Sequence, residues 1–312
     1  MKKHPPLGLL ALLALLSMMS CTKITERDVI TANQIPYYDE ITTLQLEGYL
    51  NRMYIDMVGR KPLDTELEAD IAFLRANDLS FESRHTIALR LQTDTTARAG
   101  EGSYKTAYYL WFYEFMKDEL LESADLVDFN EFIPGLEAAI RQDSMAGDSA
   151  ALRVSRAQLA RITNVLNAEE WYREGLIEVK DMVAYMLDNQ LYDKINMQTF
   201  NFVNATFDNL FGRFPSGAEF NAAFDIVENN SSRVILGRSA SNKAEYIAAL
   251  VNSREFYEGM ISKGYRQLLQ RAPSSAEAAK HMQQYYFDHD YPKFQRAILI
   301  TDEYAQFKPS YR

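Results

Sequence analysis

The stretch Val203-Asn204-Ala205-Thr206-Phe207-Asp208-Asn209-Leu210-Phe211-Gly212-Arg213-Phe214-Pro215-Ser216-Gly217-Ala218-Glu219 decides the fold. Val203, Phe207, Leu210 and Phe211 recur at spacings of four and three, which is one face of an α-helix. Gly212 stands where that helix must stop, because glycine accepts the left-handed C-cap. Pro215 cannot continue the helix and disfavours helical dihedrals in its predecessor. Ser216-Gly217-Ala218-Glu219 then forms a capping box for a second helix. The reading is helix, tight turn, helix.

The same pattern occurs twice more. One copy runs Leu50, Tyr54, Met57-Val58-Gly59-Arg60, Pro62, Glu66; another runs Ile261, Tyr265, Leu268-Leu269-Gln270-Arg271, Pro273, Glu277, with every offset identical. Gly59, Arg60, Pro62 and Glu66 therefore correspond to Gly212, Arg213, Pro215 and Glu219, and to Arg271, Pro273 and Glu277 in the copy that lacks the glycine. Ser274-Ser275-Ala276-Glu277 repeats the capping box, whereas the first copy has Leu63 in the serine position, leaving Asp64 as the substitute cap. The Arg and Glu of each unit are expected to pair across the turn as a structural feature. An anion site at Arg60, Arg213 or Arg271 is the functional alternative. A tail follows copies two and three: Tyr246, Leu250, Val251, Glu255 and Phe256 match Phe294, Ile298, Leu299, Glu303 and Tyr304 at a constant offset of 48. Copy one loses this match near Leu89 to Asp94.

Repeated units of this kind bury their apolar faces against one another. The expected fold is all-α, with helical hairpin repeats packed as a helical array. It divides into an N-terminal helical domain, 41–190, and a C-terminal helical repeat domain, 191–312. Composition agrees: 13 Gly and 9 Pro are few for 312 residues, and the abundant Ala, Leu, Glu, Gln and Met favour helix. Between the copies, 104–123 reads as a helix whose Tyr104, Tyr108, Trp111, Phe112 and Phe115 share a core face; ligand stacking on that stripe is the alternative. Further helices are expected near 130–142, 151–166 and 168–190, with Asp143 to Ala150 as a polar linker broken by Gly147.

The start of the chain carries a different signal. Lys2 and Lys3 precede an apolar run, Leu7 to Leu16, then Ser17-Met18-Met19-Ser20 and Cys21, the single cysteine. The run is about half the ~20 residues that a spanning helix needs, so 1–20 reads as a secretory signal peptide. A cysteine after a small residue resembles the lipobox of bacterial lipoproteins, although Met18 stands where that family prefers Leu. The resemblance implies lipidation of Cys21, a tether over 21–40, and a chain anchored to a membrane without spanning it. The expected location is the bacterial cell envelope, the outer membrane being favoured and its face left open. One cysteine permits no internal disulfide, so stability must come from a packed core. Removing Lys2 and Lys3 from the 33 basic residues leaves 31 against 43 acidic ones, a balance that repels nucleic acid.

The unit Gly-Arg-x-Pro-x-x-x-Glu, closed by Asn252-Ser253-Arg254-Glu255-Phe256, resembles an uncharacterised domain of bacterial surface and extracellular proteins that is distantly similar to phycobilisome-linker helices. The first copy, from Tyr49 to Asp94, resembles the start of an uncharacterised domain found beside cytochrome c modules in planctomycetes. These resemblances cover 45–95 and 197–307 and imply a helical fold and an extracytoplasmic setting, with no chemistry to carry over. The haem-attachment motif Cys-x-x-Cys-His of those modules is absent. Asp143-Ser144-Met145 and Asp148-Ser149-Ala150 resemble O-glycosylation acceptors of Bacteroidota envelope proteins.

No nucleophile elbow, P-loop, dinucleotide fingerprint or EF-hand loop occurs, and no cofactor is expected. His85, His281 and His289 have no partner at zinc-ligand spacing; Asp288-His289-Asp290 is the best local metal candidate, read as a solvated loop. The expected function is a non-enzymatic protein-interaction or assembly module with an envelope protein as partner. A glycan-capture lipoprotein using Trp111 or Trp171 is the first alternative, and an enzyme using His281 or His289 the second.

Overall fold

Helix ends in this chain are set by local hydrogen-bond chemistry, and the first hairpin shows how. The computed structural model describes residues 36–98 and 102–311. α1 (Thr43–Val58) starts at Thr42, whose hydroxyl accepts the Gln45 N–H while Gln45 Oε1 accepts the Thr42 N–H. It stops at Gly59, φ 73°, a dihedral that glycine adopts without penalty. α2 (Asp64–Ala76) starts at Leu63, which has no side-chain oxygen to offer; the Glu66 carboxylate still accepts the Leu63 N–H at 2.8 Å. Half the capping box therefore survives, and Asp64 is the first helical residue instead of the cap. α3 (Phe81–Thr93) follows from Ser80 and closes the first copy.

The middle of the chain differs from its expected outline. α4 (Tyr104–Leu121) buries Tyr104, Tyr108 and Phe112 as read, but its inner face continues through Tyr113, Met116 and Leu120. Trp111 sits on the shoulder, 36% exposed, donating to the Asp56 carbonyl at 3.1 Å. After α5 (Leu126–Asn130), α6 (Ile133–Ala146) runs through the first half of the expected linker. Gly147 ends it in a left-handed C-cap, and Asp148 accepts the Ala150 and Ala151 N–H groups to start α7 (Ser149–Arg173). A two-residue joint thus replaces the linker, braced by Ser155 Oγ donating to Asp143 at 2.7 Å. α7 takes in the expected helix 151–166 and the first part of the one expected over 168–190, which breaks at 174–178 and resumes as α8 (Val179–Leu187); α9 (Gln190–Ile195) follows.

The second hairpin is α10 (Thr199–Phe211) and α11 (Gly217–Asn229), with Gly212 at φ 65° and the Ser216–Glu219 box in place. An antiparallel pair, β2 (Arg233–Ile235) and β3 (Arg238–Ala240), is inserted before α12 (Lys243–Val251). α13 (Arg254–Leu269) serves twice: its first turn closes copy two, and the rest is the first helix of copy three. α14 (Ser275–Asp288), α15 (Tyr291–Leu299) and α16 (Asp302–Ala305) complete the array. The remaining strands are two residues each, β1 (Pro36–Tyr37) with β4 (Ser310–Tyr311).

The fold is thus an array of α-helical hairpins. Residues from Tyr37 to Ser310 form one compact unit that includes most of both stretches read as domains. One continuous core runs from Tyr38 to Phe307, and α3 packs on α15, joining the first copy to the third. The signal segment, Cys21 and the tether as far as residue 35 lie outside the described residues. Tyr38 and Ile41 are buried in the unit, so the chain is part of the body by then. Among the described residues no helix is long and apolar enough to cross a membrane.

Candidate functional site

The repeated Arg, Glu and aromatic residue converge in each copy on one hub. The Arg213 Nη1 and Nη2 groups donate to the two Glu219 oxygens at 2.9 and 2.8 Å, a bidentate fork that fits guanidinium to carboxylate. Arg271 grips Glu277 the same way at 2.9 and 2.6 Å, and Arg60 grips Glu66 at 2.8 and 3.0 Å. In all three copies Nη1 also donates to the next residue's carbonyl, that of Lys61, Phe214 or Ala272. The aromatic residue six positions earlier lies under the guanidinium: Tyr54 at 5.9 Å, Phe207 at 5.1 Å and Tyr265 at 5.2 Å. Each fork ties the end of one helix to the start of the next, because its Glu also accepts the N-cap N–H of Leu63, Ser216 or Ser274.

A second carboxylate completes the hub in copies two and three. Glu255 accepts from Arg213 Nε at 2.5 Å and Nη2 at 2.9 Å; Glu303 accepts from Arg271 Nε at 2.6 Å and Nη2 at 2.7 Å. These are the tail glutamates, and the sequence reading did not connect them to the arginines. The signal was present in their constant offset, but the Arg–Glu intervals differ, 42 against 32 residues, because copy two carries β2–β3. A guanidinium has five N–H donors, and Arg213 and Arg271 each use all five inside the chain, which leaves none for an external anion. In copy one, Glu66 also receives Arg98 Nη1 and the Tyr104 hydroxyl, each at 2.6 Å.

Each fork holds its own glutamate ionised. The fork from Arg213 leads the causes that hold Glu219 at about 2, helped by the Ser216 N–H; Arg271 and Ser274 do the same for Glu277, also at about 2. Burial pulls Glu66 upward, but donors from Arg60, Tyr104 and Leu63 outweigh it and bring it to about 2.

The other candidates are consumed locally. His289 ends α14 with φ 55°, its Nδ1 within 2.9 Å of Glu178 and its ring stacked on Tyr257. Asp290 caps α15, and Asp288 pairs with Lys293 at 2.9 Å. That triplet is a short junction between two helices, with Asp288 exposed. His281 Nε2 lies 3.0 Å from the Tyr265 hydroxyl, and burial and then Lys280 push its pKa down. Among the described residues no group of three or more His, Cys, Asp or Glu side chains is placed to hold a metal ion.

Surface cavities accompany the hairpins; one of only about 10 Å³ lies between His281, Asp288, Asp290 and Lys293, and three others are larger. The first, about 260 Å³, lies beside the first hub between Val58, Arg60, Arg98 and Tyr104. One of about 130 Å³ lies beside the third, between Tyr265, Glu277, His281 and Glu303. One of about 250 Å³ lies at the start of α10, between Asp193, Asn196, Phe202 and Lys243. Neither tryptophan lines these three. Close to the last, Phe200 (58% exposed) packs its ring 5.2 Å from Phe220, which lies 6.0 Å from Phe224.

No family model matches the chain, nor does any curated protein or solved structure.

Proposed function

We propose that this chain is a lipid-anchored protein of the bacterial cell envelope that works by binding another envelope protein, as a non-enzymatic interaction or assembly module. The observation that carries the reading is what the hairpins leave in water: Phe200, Phe214 and Phe287 are 58%, 69% and 79% exposed. Of these, Phe200 is continuous with further rings, Phe220 at 5.2 Å and through it Phe224 at 6.0 Å, and contiguous apolar surface is characteristic of interaction sites, whereas the charged groups of the second and third hubs are spent on one another. The single cysteine at position 21, behind a short apolar run, supports a lipid anchor as the means of attachment. The acidic balance argues for a protein partner over nucleic acid.

The test is affinity purification of the C-terminally tagged full chain from membranes after mild crosslinking, beside Cys21→Ser. The reading expects a stoichiometric envelope protein with the native chain and release of Cys21→Ser into the soluble fraction. A native chain that purifies alone overturns the interaction half. A Cys21→Ser variant that stays with the membrane overturns the anchor.

A further inference from the structure

We propose that the outer face of the second hairpin is the docking surface, and that its partner is an amphipathic helix whose apolar stripe carries a cation at each end. The proposal rests on the interaction reading and gives it a place and a chemistry. Residues four apart on a helix share a face. Phe200, Asn204 and Asp208 therefore form one stripe of α10, and Phe220, Phe224 and Glu228 one stripe of α11. Phe200 and Phe224 lie outside the buried core, and the ring contacts through Phe220 join the stripes into one aromatic ridge.

The two helices are antiparallel, so the two carboxylates fall at opposite ends of the ridge. Asp208 is in the last turn of α10. Glu228 is beside its first turn, where it accepts a hydrogen bond from the Thr199 hydroxyl. At 1.5 Å per residue the ends are about 12 Å apart, two turns of a partner helix. Three cations bordering this hairpin are already neutralised, Arg213 by Glu219 and Glu255, Arg233 by Asp225 and Lys243 by Asp193; Arg266 of α13 is a further cation, beside Gly212. Among the described residues neither Asp208 nor Glu228 has a cationic partner. The surface is thus an apolar strip bounded by negative charge at both ends, the complement of a cation–apolar–cation helix face.

The sister copies supply an internal control. At the Phe200 position they carry Glu47 and Glu258; at the Phe220 position, Leu67 and Ala278; at the Phe224 position, Ile71 and Met282. Leu67 packs on the core as Phe220 does, so the copies part at the Phe224 position, where Ile71 packs on the core and Met282 is buried, and at the Phe200 position, where both carry glutamate. The end charges differ as well, since Arg266 stands for Asp208 in copy three and Arg75 for Glu228 in copy one. The hairpin folds without an aromatic ridge in copies one and three, so the fold does not require the ridge of copy two.

The chain from residue 22 onward contains the whole compact unit and serves for the test. It is titrated, by fluorescence anisotropy, with a dye-labelled helical peptide bearing a leucine stripe between lysines two turns apart, and with the same peptide bearing glutamates instead. The lysine peptide should bind at least roughly tenfold more tightly than the glutamate peptide, and Phe200→Glu should weaken it by roughly tenfold or more. Phe200→Glu installs the residue of both sister copies, so its thermal melt should match the parent chain. Asp208→Lys combined with Glu228→Lys should reverse the preference between the peptides. Equal binding of both peptides, binding of neither, or indifference to Phe200→Glu overturns the proposal. So does a concentration-dependent dimer that Phe200→Glu abolishes, because a second copy would then be the occupant. If this fails while crosslinking in cells still yields a partner, this face is wrong and the interaction reading survives; if both fail, the reading itself falls.

Discussion

Arg213 shows at the scale of one side chain why the repeat needs arginine. Its two edges grip two carboxylates at once, and a lysine would keep the charge but lose the planar fork. Arg213→Lys should therefore lower stability by about 1–2 kcal/mol in urea unfolding. The exposed pair Arg254–Glu258 is the contrast, and Arg254→Lys should change stability by less than ~0.5 kcal/mol. Equal losses at the two positions would mean that the fork has no special worth. The hub carboxylates also set an acid limit. Glu66, Glu219 and Glu277 are each lowered from 4.5 to about 2 in the folded chain, so below pH 4.5 the unfolded chain binds more protons than the folded one. Their contribution is complete above about pH 4.5 and is lost as pH falls toward about 2. The urea midpoint should drop across that window, and Glu219→Gln should make the drop shallower. A decline already complete above pH 5 would remove the hubs as its cause.

The elements were legible wherever a local signal fixed them. Gly59 and Gly212 end their helices as read, and Ser216 and Ser274 start theirs. Gln270 fills the glycine position of copy three in the same left-handed conformation, φ 56°, which the alignment of copies implied and its side chain did not. The β2–β3 pair was missed because three-residue strands carry too little periodicity; only Leu236-Gly237, both at positive φ, mark the turn. The merged helix α7 was missed for the opposite reason, because nothing in Ala151 to Arg173 favours one register of break over another. Glycine identity alone also hid a distinction that packing makes plain. A Cβ on Gly48, in α1, meets nothing within 4 Å, whereas one on Gly259, in α13, would stand 2.0 Å from the Leu210 carbonyl oxygen. Gly48→Ala should stabilise by about 0.5–1 kcal/mol by restricting the unfolded chain. Gly259→Ala should destabilise by about 1–3 kcal/mol by forcing α13 away from α10. Denaturant midpoints check both, and a neutral Gly259→Ala would show that the two copies are not held in close backbone contact there.

For the whole molecule, the decisive contacts join residues far apart in sequence, and a single sequence gives no signal for such pairs. The copies are visible in the chain, but the way the first meets the third is not. Tyr108 on α4 donates to Gln295 on α15, Gln92 on α3 to the Pro292 carbonyl, and Tyr304 to Asp56. The deepest of these contacts is Arg84, fully buried, with Tyr38, Phe81 and Phe307 around its guanidinium at 4.7–5.0 Å. It donates to the carbonyls of Leu79 and Ile300 at 2.9 Å and to Asp302 at 2.7 Å. Tyr38 donates to the same carboxylate, and its own hydroxyl is pushed up to about 12, first by burial. One cation thus fastens the beginning of the compact unit, its first repeat and its last helix together. A buried charge costs most when its partner alone is removed, because the desolvated ion remains. Asp302→Ala should therefore cost about 3–5 kcal/mol. Arg84→Met added to it should recover part of that loss, since it takes away the stranded charge and leaves an apolar side chain among three rings. The double-mutant cycle on urea unfolding reads the coupling directly. A coupling near zero would mean that Asp302 acts only as the first residue of α16, and that the rings and carbonyls hold Arg84 without it.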